Sequence, residues 1–387
     1  MNNFDYMIPT TIHFGKGQIS RLGEEISRLG KSVLLVYGGG SIKKAGIYEK
    51  VMEILKEQGA KVTELSGVEP NPRIESVRRG VELCRQNNVD VILAVGGGST
   101  IDCSKAVAAG VFYDGDAWDI VLDDSKITEA LPIVTVLTLS ATGSEMNGNA
   151  VISNMSTNEK LGIGSDLLRP RASILDPEYT YTVSKKQTAA GTADIMSHVF
   201  EIYFTNVKDA FLQARLCEAV LKTCIRYGGV AVEKPDDYEA RANLMWASSL
   251  ALNSLLSYGA EVAWTVHPME HELSAFYDIT HGEGLAILTP HWMKYCLSDK
   301  TVGKFAEYGV NVWGIDEKQD AYDIANQAIG KTREFFNSLG LPATLRDVGI
   351  DEKNFAIMAK KAVGSGLEYA FVDLKPEDVE KIYQMAL

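Results

Sequence analysis

Two segments hold most of the residues that can bind a metal or move a proton. In GTADIMSHVFE, Asp194 and His198 lie four residues apart on a strongly helical segment, so their side chains share one face. In TVHPMEHELSAFYDITHGEG, His267, His271 and His281 make up three of the chain's six histidines. An Asp–His pair alone is more often a surface ion pair than a metal site. His198, however, falls in an apolar stripe with Ile195, Val199 and Ile202, and a buried imidazole needs partners. Pro268 suits the first turn of a helix, which puts His267 at its start and His271 one turn on along the same face, with His281 after a turn. Asp194, His198 and two of the three later histidines would supply one carboxylate and three imidazoles. That set suits a divalent transition metal with a coordination position left open for substrate.

Two GGGS stretches, ending at Ser41 and Ser99, point to a different chemistry. Each directly follows a Val/Ile/Leu-rich run, where an open parallel sheet binds its ligands. Gly96, Gly97 and Gly98 let the backbone turn sharply and approach a phosphate, and Ser99 then opens a helix whose free N–H groups favour an anion. A plain capping box, Ser99 to Asp102, is the competing account of the second loop. Neither stretch matches the GxGxxG or Walker pattern. Two glycine turns at strand ends in one sheet nevertheless shift the balance to a dinucleotide.

The elements that must position these groups fall into two halves. SVLLVY, AKVTEL, VDVILAV, LPIVTVLTL and RASILDP read as strands alternating with helical segments, the pattern of a parallel sheet covered on both faces. From about Ser184 the strand signal stops and apolar residues recur at helical spacing. The expected organisation is an α/β domain over residues 1–180 and an all-helical domain over residues 181–387, joined near Asp176–Ser184.

Composition narrows the classes. The 387 residues are 46% hydrophobic and 23% charged, a globular balance. A net charge of -13 argues against nucleic acid or an anionic membrane surface as partner. Five cysteines without a CxxC suit free thiols in a reducing cytosol. The N-terminus lacks a signal-peptide pattern and no apolar run reaches transmembrane length, so a cytoplasmic protein is expected.

Both GGGS elements, together with ATGSE, KLGIGSDLLRPRASILDP, GTADIMSHVFE and HPMEHELSAFYDITHGEGLAILTP, resemble the iron-containing (group III) alcohol dehydrogenases, in particular the butanol dehydrogenase and NADPH-dependent aldehyde reductase branch. The resemblance spans essentially the whole chain. It implies a Rossmann-like dinucleotide-binding domain followed by an all-α metal-binding domain, an architecture shared with dehydroquinate synthase. It further implies that Asp194, His198, His267 and His281 hold one divalent metal, Fe2+ or Zn2+, and that His271 is the non-ligand histidine near the nicotinamide and the substrate. Gly97, Gly98, Ser99 and Asp102 match residues holding the pyrophosphate and nearby ribose. Gly38, Gly39 and Ser41 match the adenosine-ribose side, while Asn71, Thr138, Thr142, Asn147, Lys160 and Tyr179 match the rest of the groove. The implied substrate is a small aldehyde or alcohol, and the implied assembly is a homodimer pairing through TTIHFGKG. A glycerol-type polyol dehydrogenase is the neighbouring alternative. A dehydroquinate-synthase-like lyase ranks below it, because the segments around Asp194 and His267 lack a basic cluster. A non-enzymatic nucleotide- or metal-binding protein is the remaining reading.

The first glycine loop also bears on cofactor choice. NAD-preferring sites place a carboxylate at a strand end, where it repels a 2′-phosphate. Related enzymes that prefer NAD have Asp where this chain has Gly38, and Lys43 and Lys44 add positive charge nearby. Glu64, at the end of AKVTEL, is the acid a standard Rossmann fold would use. The resemblance puts the pyrophosphate on the second loop and the ribose towards the first, so the expectation is NADP(H) over NAD(H).

Overall fold

A computed structural model describes residues 1–262, 264–364 and 370–387. The chain divides into two compact units, neither of them one continuous stretch. One comprises residues 7–183 and 235–253; the other comprises residues 1–6, 184–234 and 254–387.

The first unit is built on a parallel sheet. Its strands are β1 (Thr11–Phe14), β2 (Ser32–Tyr37), β3 (Lys61–Leu65), β4 (Val91–Gly96), β5 (Ile133–Leu137) and, further along the chain, β8 (Ala172–Leu175). Their order across the sheet is β1-β8-β5-β4-β2-β3, every pair parallel. Alternate residues of β2 and β4 enter separate cores. Leu34, Val36 and Ile92 pack on one face, and Val33, Leu35, Val91, Leu93 and Val95 on the other. Burial on both faces is why these strands read as unbroken apolar runs. Strand order reverses between β2 and β4, so both GGGS loops leave the sheet at its topological switch point.

One element escaped the sequence reading. β6 (Asn149–Asn154) and β7 (Glu159–Gly164) form an antiparallel hairpin apart from the main sheet. Asn158, at φ 50°, supplies the left-handed residue of its turn. The helix Tyr238–Leu252 also belongs to this unit, where Ser249 Oγ donates to Glu145 Oε1 (2.5 Å).

All the long helices of the second unit follow Ser184, as the change of periodicity indicates. The helix Lys185–Tyr203 is buried at every position from Thr188 onward, and the helices Phe211–Glu233 and His281–Cys296 pack against it. A helix enclosed on all sides shows little amphipathic pattern and needs small residues where neighbours approach, which TAAGTA provides. Residues 1–6 join this unit through the Asn2 amide, which donates to Gly259 O (2.8 Å), and through the stacking of Phe4 on Tyr258. Among the described residues no helix is long and apolar enough to cross a membrane.

Candidate active site

The buried helix Lys185–Tyr203 carries Asp194, His198 and Glu201 at successive turns of one face. The helix Val266–Tyr277 contributes His267, Glu270 and His271, and His281 begins the next helix. Three imidazole nitrogens surround one carboxylate oxygen. Asp194 Oδ1 lies 3.5 Å from His198 Nδ1, 3.9 Å from His267 Nε2 and 3.7 Å from His281 Nε2. These separations are long for hydrogen bonds but suit ligands around a common ion with bonds of about 2.0–2.2 Å. Asp194 Oδ1, His198 Nδ1 and His267 Nε2 are all buried without a hydrogen-bond partner. Unpaired polar atoms are costly in a core, and a cation among them would satisfy all three. The donor set therefore fits a divalent metal.

Two further carboxylates fix the imidazoles. Glu201 accepts N–H bonds from Thr265 (2.8 Å), Val266 (2.8 Å) and His267 (3.0 Å), and so caps the helix start that bears His267. His267 Nδ1–H donates to the same carboxylate at 3.0 Å, which turns Nε2 towards Asp194. Glu270 plays the matching part for His281, pairing with its Nδ1, and also accepts from Ser274 Oγ. Gly282 makes the approach of His281 possible: a Cβ there would lie 2.1 Å from Ala190 O on the Asp194 helix. His271 is half-buried, its ring centroid 5.6 Å from that of His281 and 6.3 Å from that of His267. Glu270, His271 and His281 form a second cluster that overlaps the first. Trp264 stands edge-on to His267, with centroids 5.0 Å apart.

Electrostatics favour a positive charge at this point. Burial by itself would raise the Asp194 carboxyl, but His198, His267 and His281 outweigh it and hold it at about 2. Burial pushes His198 down to about 4 against the pull of Asp194, leaving that imidazole neutral. Burial also opposes charge on His267, yet Asp194 and Glu201 together raise it to about 9. With Nδ1 committed to Glu201, the proton on Nε2 occupies the position a metal would take, and a metal bound there would have to displace it.

In the sheet unit, Gly38, Gly39 and Ser41 follow β2, Gly97, Gly98 and Ser99 follow β4, and Thr138 follows β5, three adjacent strands of the sheet. The helix after β4 begins at Gly98 with Gly97 as its cap, one residue before the Ser99 start the sequence suggests. Thr138 N–H donates to Gly96 O (3.0 Å), tying those two strand ends together. Asn71, at φ 51°, lies just beyond Val68, whose N–H donates to Tyr37 O (3.2 Å). Asp102 does not close a capping box with Ser99; its oxygens accept from Ser144 Oγ and Val151 N–H. Thr142 and Asn147 sit in the loop that includes Ser144, and Lys160 is buried on β7 opposite Ser153. Tyr179 packs against the core of Val33 and Leu35, and burial pushes its phenol up to about 12. Beside the first loop, the Lys43 ammonium lies over the rings of Tyr48 (4.4 Å) and Tyr37 (5.1 Å). Both of those hydroxyls donate to Glu64, at 2.6 Å from Tyr37 and 3.0 Å from Tyr48.

Comparison with known proteins gives this geometry its context. Residues 9–177 match the family model for iron-containing alcohol dehydrogenase, and residues 188–387 match the C-terminal model of the Fe-containing alcohol dehydrogenase family. The chain belongs to the iron-containing alcohol dehydrogenase family. It is 62% identical over 386 residues to NADH-dependent butanol dehydrogenase A of Clostridium acetobutylicum, covering 99% of each chain. It is 41% identical to the NADPH-dependent aldehyde reductase YqhD of Escherichia coli, covering 95% of this chain and 94% of that one. The crystal structure of NADH-dependent butanol dehydrogenase A from Thermotoga maritima superposes with a TM-score of 0.95 at 40% identity, covering 100% of this chain and 99% of that one.

As a member of the alcohol dehydrogenase family, the chain is an oxidoreductase. Several residues beside the candidate groups are absent from the sequence reading: Glu201, Glu270 and Trp264 next to the histidines, and Ser144 next to Asp102. Glu201 had a legible signal, lying seven residues after Asp194 on the same helical face. A second carboxylate on a face that already holds Asp and His reads as a partner for an imidazole. Glu201→Gln keeps an acceptor for the backbone N–H groups but removes the charge that turns His267. Metal affinity, measured by competition with a chelator, should fall about 10- to 100-fold in that variant. An unchanged affinity would mean that Glu201 serves only as a helix cap.

Proposed function

We propose that this chain interconverts short-chain aldehydes and primary alcohols by hydride exchange with a nicotinamide dinucleotide, in the manner of the butanol dehydrogenases and aldehyde reductases it resembles. One observation carries the reading: Asp194 Oδ1, His198 Nδ1 and His267 Nε2 converge, buried and unpartnered, with His281 Nε2 3.7 Å from the same carboxylate oxygen. These four residues would hold one divalent metal. Carboxylate and imidazole donors accept Fe2+ and Zn2+ alike, so metal supply decides between them. When bound, the metal draws charge onto a carbonyl oxygen, and the dinucleotide brings the hydride. The chain's own residues do the rest. Asp194 offsets cationic charge, Glu201 and Glu270 keep two imidazoles turned inward, and Trp264 walls the cluster with an apolar edge. His271 is assigned the exchange of a proton with the alcohol oxygen. The same arrangement run in reverse oxidises an alcohol.

His267→Ala should lose both bound metal and activity, because the site gives up a donor and its geometry. His271→Ala should keep its metal while turnover falls by about 100-fold or more. Metal per chain, read by mass spectrometry, separates the two. Stoichiometric metal in His267→Ala would overturn the ligand assignment.

For the dinucleotide, Gly97, Gly98 and Ser99 at the start of a buried helix, with Asp102 one turn on, are assigned to the pyrophosphate and nearby ribose, and Gly38, Gly39 and Ser41 to the adenosine-ribose side. Asn71, Thr138, Thr142, Asn147, Lys160 and Tyr179 keep the groove positions that the family likeness implies. NADP(H) is proposed over NAD(H). Gly38 leaves the end of β2 without a carboxylate, and Lys43 adds a positive charge beside it. Glu64, the competing acid, is engaged by two tyrosine hydroxyls. The names of the Clostridium and Thermotoga relatives specify NADH and that of the Escherichia reductase NADPH, so names alone do not choose. Steady-state kinetics on butanal should give the higher kcat/KM with NADPH, and Gly38→Asp should weaken NADPH selectively. A higher kcat/KM with NADH would sink the preference.

A homodimer in the cytoplasm completes the reading. β1 lies at the sheet margin, paired on one side with β8, and five free, buried cysteines suit a reducing compartment. Light scattering should return twice the chain mass of 42.3 kDa. A monomer mass would refute the pairing.

A further inference from the structure

The helix Gly98–Gly110 is made mostly of small apolar residues, yet Lys105 within it has no exposed surface. Its Nζ donates to Ser144 Oγ (2.8 Å), Asn147 Oδ1 (2.9 Å) and Asn149 O (2.7 Å). Three acceptors use all three hydrogens of the ammonium. The bonds continue outward. Ser144 Oγ donates to Asp102 Oδ1 (2.5 Å), and Asp102 Oδ2 accepts the Val151 N–H (2.9 Å). Asn147 Nδ2 donates to Gly143 O (2.9 Å), and Asn147 Oδ1 also accepts the Asn149 N–H (2.9 Å). Ser144 N–H donates to Thr142 Oγ1 (3.2 Å), and Thr142 fills the space beside Gly98, where a Cβ would come within 2.5 Å of it. Four residues assigned to the dinucleotide, Gly98, Asp102, Thr142 and Asn147, are thus joined through two that are not, Lys105 and Ser144.

Burial works against a charged lysine here. Burial pushes its amine down to about 7 against the pull of Asp102 and Glu145, because an apolar interior disfavours charge. A methionine of similar length would fill the volume but leave three acceptors and the nearby Asp102 and Glu145 carboxylates without their cation. What the ammonium adds is direction: three fixed bonds from one helix to one turn.

We propose that Lys105 is a positioning residue of the dinucleotide site, its ammonium pinning the Thr142–Asn149 turn against the helix that starts at Gly98, with Ser144 passing the constraint to Asp102. The inference rests on the assignment of that loop to the dinucleotide. Lys105→Met leaves Ser144, Asn147 and Asn149 without their shared donor, and the turn is then free to move relative to Gly98. The dinucleotide Kd rises while the bound metal per chain stays the same.

The test is fluorescence titration of NADPH and NADH into the purified wild-type protein, Lys105→Met, Ser144→Ala and the double variant, with metal per chain measured in each. Wild type should bind saturably. The Kd should rise about tenfold in Lys105→Met and about threefold in Ser144→Ala, with the number of sites and the metal content unchanged. The double variant should be no more than about twofold weaker than Lys105→Met, since the two act as one network. Partial misfolding gives the opposite signature, fewer sites at the wild-type Kd, and would assign Lys105 to structure alone. If Lys105→Met does not fold, Ser144→Ala decides, because it removes a single hydroxyl. Binding of neither nucleotide by wild type would refute the functional reading; wild-type binding with both variants within twofold would refute the role of Lys105.

Discussion

An ionised carboxylate removed from water must be given donors or positive charge, and the helical unit is organised around that requirement. Glu201 meets it with three backbone N–H groups at the head of a helix and one imidazole. Asp194 meets it with three imidazoles whose nitrogens stand too far away to be hydrogen-bond donors, so its Oδ1 is left without a hydrogen bond. The two acids lie two turns apart on one helix and form a graded pair. The satisfied one sets the orientation of His267, and the unsatisfied one sets the demand for a cation. The starting point of the Val266–Tyr277 helix, the tilt of its first histidine and the approach of the His281 backbone at Gly282 all follow from meeting this demand within a packed core.

The sheet unit solves the complementary problem. Its buried helix, Gly98–Gly110, carries a cation into an apolar interior, and the chain supplies acceptors from a single turn. The Asp194 helix and the Lys105 helix share a design: small residues that allow close packing, and interior charges whose neighbours are fixed by direction as well as by volume. Packing alone would tolerate many apolar substitutes at Asp194 or Lys105. Directional bonding does not, and that difference separates a scaffold from a site.

Legibility tracked the range of the interaction. The parallel strands were readable because β2, β4 and β5 are buried on both faces and had to be continuous runs of Val, Ile and Leu. The helices after Ser184 were readable from their period. The hairpin of β6 and β7 escaped because Asn149, Ser153 and Asn154 flank Ala150–Ile152 and Gly162 and Gly164 interrupt the second strand, so neither strand reads as an unbroken apolar run. Asp194, His198 and the later histidines stood out because few other residue types bind metals and their spacing put them on shared faces. Lys105 lay hidden, a single lysine in a helix of mostly small residues, because its three partners lie 39 to 44 positions away. The helix Tyr238–Leu252 carries no mark in its sequence of the unit it joins; that is settled by contacts such as Ser249 to Glu145, distant along the chain.

That discontinuity bears on how the molecule comes into being. The polypeptide passes between the two units four times, after Tyr6, Val183, Lys234 and Asn253. On a ribosome the sheet could form as soon as β8 emerged, yet the helix carrying Ser249, which bonds the buried Glu145, arrives some seventy residues later. The other unit must wait for the final helix while holding the first six residues in reserve. Neither half can therefore be completed and released before the other is well under way. Recombination that exchanged one nucleotide-binding module for another would have to match four junctions at once, whereas point changes in loops such as Gly38–Ser41 disturb none of them. A scaffold interleaved in this way is expected to diversify by retuning its loops, with whole halves inherited together.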